Sequence, residues 1–185
     1  AGAVVISGVN ATNNVEINAT TGQTLSVALT DATGAADVVN INLKASAVVD
    51  ANTITTANVE TVNIKGTDAA AANVSAINVL TLTATKATSV VVTGNDGLNL
   101  TNTGNTKITT FDASGVVATN ASDTAANMAV TFASANTSTT AAVAITGGAG
   151  NDSLTGNLSI DTIAGGAGAD IITVTAGNDV VTGGA

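Results

Sequence analysis

The chain has 185 residues and a formal net charge of -9; its four basic residues are all lysines, and it contains no His, Cys, Pro, Trp or Tyr. That inventory excludes His-based acid–base catalysis, thiol nucleophiles, His/Cys zinc sites and a basic footprint for nucleic acid. Apolar residues make up 45% and aromatics only 1%, so the hydrophobic content is largely Ala and Val dispersed among Thr, Asn, Ser and Gly. Such a mixture suits thin β-layers better than one thick globular core, and it offers no aromatic platform for stacking sugars.

Length alone allows one domain or an elongated pair. No run of about eighteen apolar residues occurs, so no membrane span is expected. There is no secretory leader and no initiating Met, and Ala185 falls inside a repeat, so the polypeptide reads as a segment of something longer.

From the start to about residue 42 the pattern alternates, as in residues 14–18 (NVEIN) and 24–29 (TLSVAL). Strict alternation predicts half-buried strands. Residues 31–37 (DATGAAD) read as a solvated turn with two acids, and 37–43 as another strand. The stretch 45–57 is the one place with room for a helical turn, although its Thr and Val disfavour it.

Beyond it, Val62-Asn63-Ile64, Leu80-Thr81-Leu82 and Leu98-Asn99-Leu100 recur at intervals of eighteen, an interval repeated by Val90 and Ile108. A parallel β-solenoid stacks like side chains at each turn, so such ladders predict one. Residues 68–72 and 120–127 then become loops thrown off the coil. Lys44, Lys65, Lys86 and Lys107 are spaced by twenty-one, against an eighteen-residue rung; burial fixes apolar positions more firmly than surface charges, so the apolar interval is preferred and the lysines are assigned to a solvated edge. Residues 93–97 (TGNDG) read as a turn with Asp96 exposed. Residues 128–132 and 141–146 are strands, and Ile145 lies nine before Leu154, which argues against a linker at Gly147.

From Gly147 the chain divides into nines: GGAGNDSLT, GNLSIDTIA, GGAGADIIT, VTAGNDVVT and a final GGA. Asp152, Asp161, Asp170 and Asp179 hold the sixth place, and Leu154, Ile163, Ile172 and Val181 the eighth. Glycines at places one, two and four allow the backbone to turn tightly and expose carbonyl oxygens, and a carboxylate two residues after the last glycine closes the cage. Places seven to nine form a short strand with one inward side chain. Two blocks therefore make one coil, and loops eighteen apart stack on one edge. Calcium, which takes six to eight oxygens at flexible geometry, fits between such loops.

The pattern resembles G-G-x-G-x-D-x-U-x, the calcium-binding nonapeptide of RTX proteins. Transferred residue by residue, the resemblance implies a first site from Gly148, Gly150 and Asp152 with Gly165, Ala167 and Asp170. A second, on the opposite edge, pairs Asn157, Ser159 and Asp161 with Val174, Ala176 and Asp179, departing from the pattern at several glycine places. A third begins with Gly166, Gly168 and Asp170 and continues with Gly183 and Ala185, without its last aspartate.

A wider resemblance is carried by residues 58–64 (NVETVNI), 89–115 (SVVVTGNDGLNLTNTGNTKITTFDASG) and TFASANT ahead of GGAGNDSLTG. Together these segments are similar to the C-terminal crystalline-array region of Caulobacter-type surface-layer (S-layer) proteins. The resemblance implies a secreted structural subunit that crystallises with copies of itself, with calcium, on a Gram-negative cell surface. It also implies export by type I secretion and attachment to lipopolysaccharide through a domain outside this segment.

The sequence therefore predicts an all-β parallel solenoid (β-helix or β-roll) with RTX calcium-binding coils at its C-terminal end. Residues 1–57 begin it, 58–146 continue it, and 147–185 form the calcium-binding roll, cut short at its end. The expected function is a non-enzymatic lattice segment, with a calcium-stiffened RTX adhesin or biofilm repeat as the alternative; neither nucleic acid nor membrane insertion is expected.

Overall fold

The computed structural model describes residues 4–10, 12–45, 47–68 and 76–185, with the backbone alone for Ala45 and Asp68. All sixteen strands of these residues lie in two eight-stranded parallel sheets. The first contains, in spatial order, β1 (Val4–Val9), β3 (Leu25–Leu29), β5 (Asp50–Thr56), β7 (Ile77–Thr83), β9 (Gly97–Thr101), β11 (Val130–Ala133), β13 (Ser153–Thr155) and β15 (Ile171–Thr173). The second runs β2 (Asn14–Ile17), β4 (Val38–Ala45), β6 (Thr61–Asp68), β8 (Ser89–Gly94), β10 (Thr110–Val116), β12 (Ala144–Thr146), β14 (Thr162–Ala164) and β16 (Val180–Thr182). Successive strands alternate between sheets, so the chain winds as a solenoid whose every rung has one strand in each. The predicted parallel all-β architecture is what the chain adopts.

Alternation explains the layering. In β4, Val39, Ile41 and Leu43 point inward and are at most 1% exposed, while Asn40 and Asn42 face out. Inward residues from both sheets form one core running from Val9 to Ile163. At its middle Phe111 of β10 stacks on Phe132 of β11 across the sheets, ring centroids 4.0 Å apart and 10° from parallel. Two rings this close fill the gap that elsewhere is filled by Val, Leu and Ile.

The register corrects the upstream period. Paired residues are eighteen apart only between β12 and β14, β13 and β15, and β14 and β16. Upstream the interval varies from twenty, as in Leu80 with Leu100, to thirty-four, as in Thr110 with Ala144. Leu98 pairs with Asn78 rather than Leu80, Val90 pairs with Phe111 rather than Ile108, and Val62 lies in the opposite sheet from Leu80. The reason is physical: inward side chains recur every two residues, so a register two residues away preserves the same polarity pattern. Both sheets also face one core, which hides sheet membership from an apolar periodicity.

The lysine spacing of twenty-one matches a rung of the coil. Ser89 pairs with Thr110, a rung of twenty-one, and Lys86 and Lys107 occupy equivalent exposed turns just before those strands. The stretch 45–57 forms no helical turn in its described part; β5 occupies it, with Asn52 at φ 57° and Asn58 at φ 54° supplying the bends. Residues 31–37 and 120–127 are turns, as predicted. Of the other predicted loop, Asp68 closes β6, and residues 69–72 lie outside the described residues.

Candidate metal centre

From residue 144 onward each strand shrinks to three residues, and the remaining six places of each nonapeptide form a corner. Leu154 and Ile163, at place eight, are 0% and 1% exposed and anchor their rungs in the core. Because strands alternate between sheets, corners 147–152 and 165–170 stack on one edge, and 156–161 and 174–179 on the other.

The place-six aspartates tie the corners together. Asp152 is 1% exposed; its Oδ2 accepts from the Gly148 N–H at 2.6 Å and its Oδ1 from the Val130 N–H at 2.7 Å. One carboxylate thus closes its own turn and holds the start of β11 on the preceding rung. Asp161, fully buried, repeats the device with the N–H of Asn157 at 2.5 Å and of Val143 at 2.9 Å. Further along, the Asp152 N–H donates to Asp170 Oδ1 and the Asp161 N–H to Asp179 Oδ1, both at 2.8 Å. Burial pushes the Asp152 carboxyl above the usual carboxylate range, with the neighbouring Asp170 charge adding to the rise, while the N–H donors of Gly148 and Val130 oppose it.

Glycine is required where corners meet. Gly166 and Gly168 sit at φ 103° and 123°, and a Cβ on either would overlap the carbonyl oxygen of Gly148 or Gly150 in the corner beneath. Only glycine permits both the conformation and the approach. Gly177, at φ 115°, stacks on the Ser159 carbonyl in the same way.

These contacts place the predicted ligand residues. Gly148, Gly150 and Asp152 stack on Gly165, Ala167 and Asp170, with the Ala167 N–H donating to the Gly148 carbonyl at 2.8 Å. On the other edge Asn157 and Ser159, both buried, lie with Asp161 beneath Val174, Ala176 and Asp179; Thr175 Oγ1 donates to the Asn157 carbonyl, and the Val180 N–H to the Asp161 carbonyl at 2.8 Å. In the third set Ala185 N–H donates to the Gly166 carbonyl and Gly168 N–H to the Ala185 carbonyl, both at 3.0 Å, while Gly183 faces open space. Burial falls along the stack: Val174 is 48% exposed and Val181 47%.

Upstream corners use the same geometry with neutral side chains. Asn105 is fully buried; its Oδ1 accepts from Ala84 N–H at 2.6 Å, and its Nδ2 donates to the Leu82 carbonyl at 2.8 Å and to Asn102 Oδ1 at 2.7 Å. Asn78 Oδ1 holds the Val49 N–H at 2.8 Å, and Asn136 Nδ2 the Ile108 carbonyl at 3.2 Å. Asp96 is 3% exposed rather than solvated: its carboxylate accepts from Ala76 N–H at 3.0 Å and Asn78 Nδ2 at 3.2 Å, bonds that make burial tolerable. The triplet Gly-Asn-Asp, shared by residues 94–96, 150–152 and 177–179, is the sequence signal for that corner.

The donor set fits calcium. Among the described residues no three acidic side chains gather into a carboxylate cage; instead each corner presents backbone carbonyls beside one aspartate. Each carbonyl keeps a second lone pair after accepting its N–H. The Oδ2 of Asp170 is buried without a hydrogen-bond partner, an uncompensated acceptor aligned with a stack of further acceptors. The carbonyls and aspartates of these corners would hold a calcium ion, which would supply the positive charge this stack lacks.

No curated protein matches the chain. Residues 144–172 and 155–185 match the family profile described as RTX calcium-binding nonapeptide repeat (4 copies). The C-terminal coils of this chain are therefore RTX repeats, and they bind calcium.

Proposed function

We propose that the chain is a structural segment of a secreted, calcium-dependent S-layer on a Gram-negative cell surface, assembling with copies of itself. The observation that supports this reading is the continuous two-sheet stack, in which calcium-binding corners prolong coils already closed by asparagine and aspartate. Calcium then acts as mortar between rungs, and lateral faces are presented at fixed positions. The order of segments 58–64, 89–115 and 131–156, similar to S-layer array regions, supports the lattice in preference to a lone repeat. Export follows the type I route, and lipopolysaccharide is engaged by a domain outside this segment. The segment performs no catalysis, a reading supported by the lack of His, Cys and Arg.

Electron microscopy of the full-length protein tests the lattice. Two-dimensional sheets that form with calcium and disperse with chelator are the expected result. Dispersed molecules in saturating calcium that bind a host-cell surface would replace the lattice with the adhesin reading.

A further inference from the structure

The outer face of the second sheet carries a feature that calcium does not explain. Asn14, Asn40 and Asn63 are in register on β2, β4 and β6, forming a row of carboxamides on rungs about 4.8 Å apart. Beside it runs a second row, Glu16, Asn42, Lys65 and Thr93. Between them lies a groove of about 400 Å³ lined by Asn14, Asn40, Asn42, Asn63, Lys65 and Thr93, within the size range of small-ligand sites.

The chemistry of the lining is specific. Asn63 Nδ2 donates to Asn40 Oδ1 at 2.9 Å, so the row is ordered before any ligand arrives. Asn42 Nδ2 donates to Glu16 Oε2 at 3.3 Å, while Asn42 Oδ1 is buried with no partner and awaits a donor. Glu16 is also the partner of Lys44, at 4.0 Å, the one ion pair among the described residues. Lys65, exposed on the same face, makes no ion pair at that distance among the described residues, and Glu16, at the head of its row, is held by Asn42 and Lys44 outside the groove lining. In a chain of net charge -9, this is a local site with an unneutralised ammonium.

We propose that this groove binds an acidic oligosaccharide lying across the strands. Carboxamides present a donor and an acceptor side by side, which matches the paired hydroxyls of a sugar ring. Their rung spacing is on the scale of one pyranose unit. Lys65 receives a uronate carboxylate, and a hydroxyl supplies the donor that Asn42 Oδ1 lacks. A peptide is a poorer occupant, because Val91 is the one outward apolar side chain in the lining. Both phenylalanines are buried in the core, so recognition rests on hydrogen bonds without stacking; single-site binding is weak and gains from repetition on neighbouring copies.

The test is NMR titration of the calcium-loaded chain with hyaluronan hexasaccharide and with its methyl-esterified, uncharged counterpart. Saturable shifts at the backbone amides of Asn40, Asn63 and Lys65 are expected, with binding to the ester at least tenfold weaker. Lys65→Gln should reproduce that loss for the acidic sugar and leave the ester unaffected, and Thr93→Val should weaken both. Each variant's circular dichroism must match the parent. No saturable shift with either sugar, or shifts confined to other faces, overturns the site. Equal binding of acid and ester overturns the role of Lys65.

Discussion

The backbone N–H of Asp152 lies 2.8 Å from Oδ1 of Asp170, one coil further on. The carboxylate of Asp152 in turn holds Val130 of the preceding rung, so three rungs are connected through consecutive links of one chain of hydrogen bonds. The link from Asp161 to Asp179 repeats this on the opposite edge.

Removing these carboxylates should therefore cost unequal amounts. Asp152→Ala orphans two buried donors, on Gly148 and Val130, at about 1–3 kcal/mol each, besides deleting a proposed calcium ligand. Asp179 receives the Asp161 N–H and lies nearer solvent, so Asp179→Ala should cost less. Thermal melts in saturating calcium measure the difference; equal losses would contradict the assigned hierarchy.

Asp152→Asn separates charge from shape. Without calcium, the neutral side chain removes the charge facing Asp170, but its amide keeps a single acceptor oxygen for the two N–H groups of Gly148 and Val130, so the variant should be less stable than the parent by about 1–3 kcal/mol and more stable than Asp152→Ala. With calcium, it loses a charged ligand and should bind at least tenfold more weakly. Calorimetric titration beside chelated melts reads both effects, and a variant as unstable as Asp152→Ala under chelation would show that the retained oxygen holds neither N–H.

The direction of the Asp152 shift also sets a pH dependence for the calcium-free protein. Its folded-state pKa lies above the ordinary value of 3.8, so between the two the folded state binds more protons than the unfolded state. The burial penalty is then complete above the folded pKa and is relieved as pH falls through it toward 3.8. Chelated parent should gain stability relative to Asp152→Asn over that window. A parent-minus-variant difference that stays flat with pH would remove Asp152 from the account.

The glycine contacts give a further contrast. Gly168→Ala forces a side chain at φ 123° against the Gly150 carbonyl, at about 2–5 kcal/mol from strain and overpacking together. Gly183→Ala meets no atom within 4 Å and should stay within about 0.5 kcal/mol of the parent. Denaturant melts in calcium compare them.

Chelation should act regionally. Corners closed by Asn105 and Asn136 carry no charge that needs an ion, and the Asp96 carboxylate is already held by Ala76 and Asn78, whereas corners from residue 147 onward stack aspartates. Hydrogen exchange under chelation should show the amides of Ile163, Ile172 and Val181 opening while those of Ile41, Ile64 and Val92 remain protected. Uniform loss of protection along the chain would show that calcium governs the whole stack.

What was legible in the sequence follows from what each signal encodes. Alternation in residues 14–18 and 37–43 marked which side chains face inward, but it carries no information about which strand is the neighbour. Thus an interval of eighteen aligns Leu80 with Leu98, whereas its partner is Leu100. In the nonapeptides the coil length is constant, so Ile145, Ile163 and Val181 fall in register as their spacing implies. Asp96 read as solvated because its partners, Ala76 and Asn78, lie about one rung away in the chain. The corner asparagines carry no sequence signal for the same reason: an Asn that caps a corner looks, in sequence, like an Asn in any turn.

Each rung of this stack pairs only with the rungs beside it, and that has a mechanical consequence. A pull that lifts β15 and β16 peels one coil and leaves the core of Phe111 and Phe132 untouched. Rupture then proceeds in steps of one rung, each loaded in turn. The force these coils withstand is thus set by ion occupancy, and lowering calcium softens the calcium-binding rungs before the asparagine-closed ones.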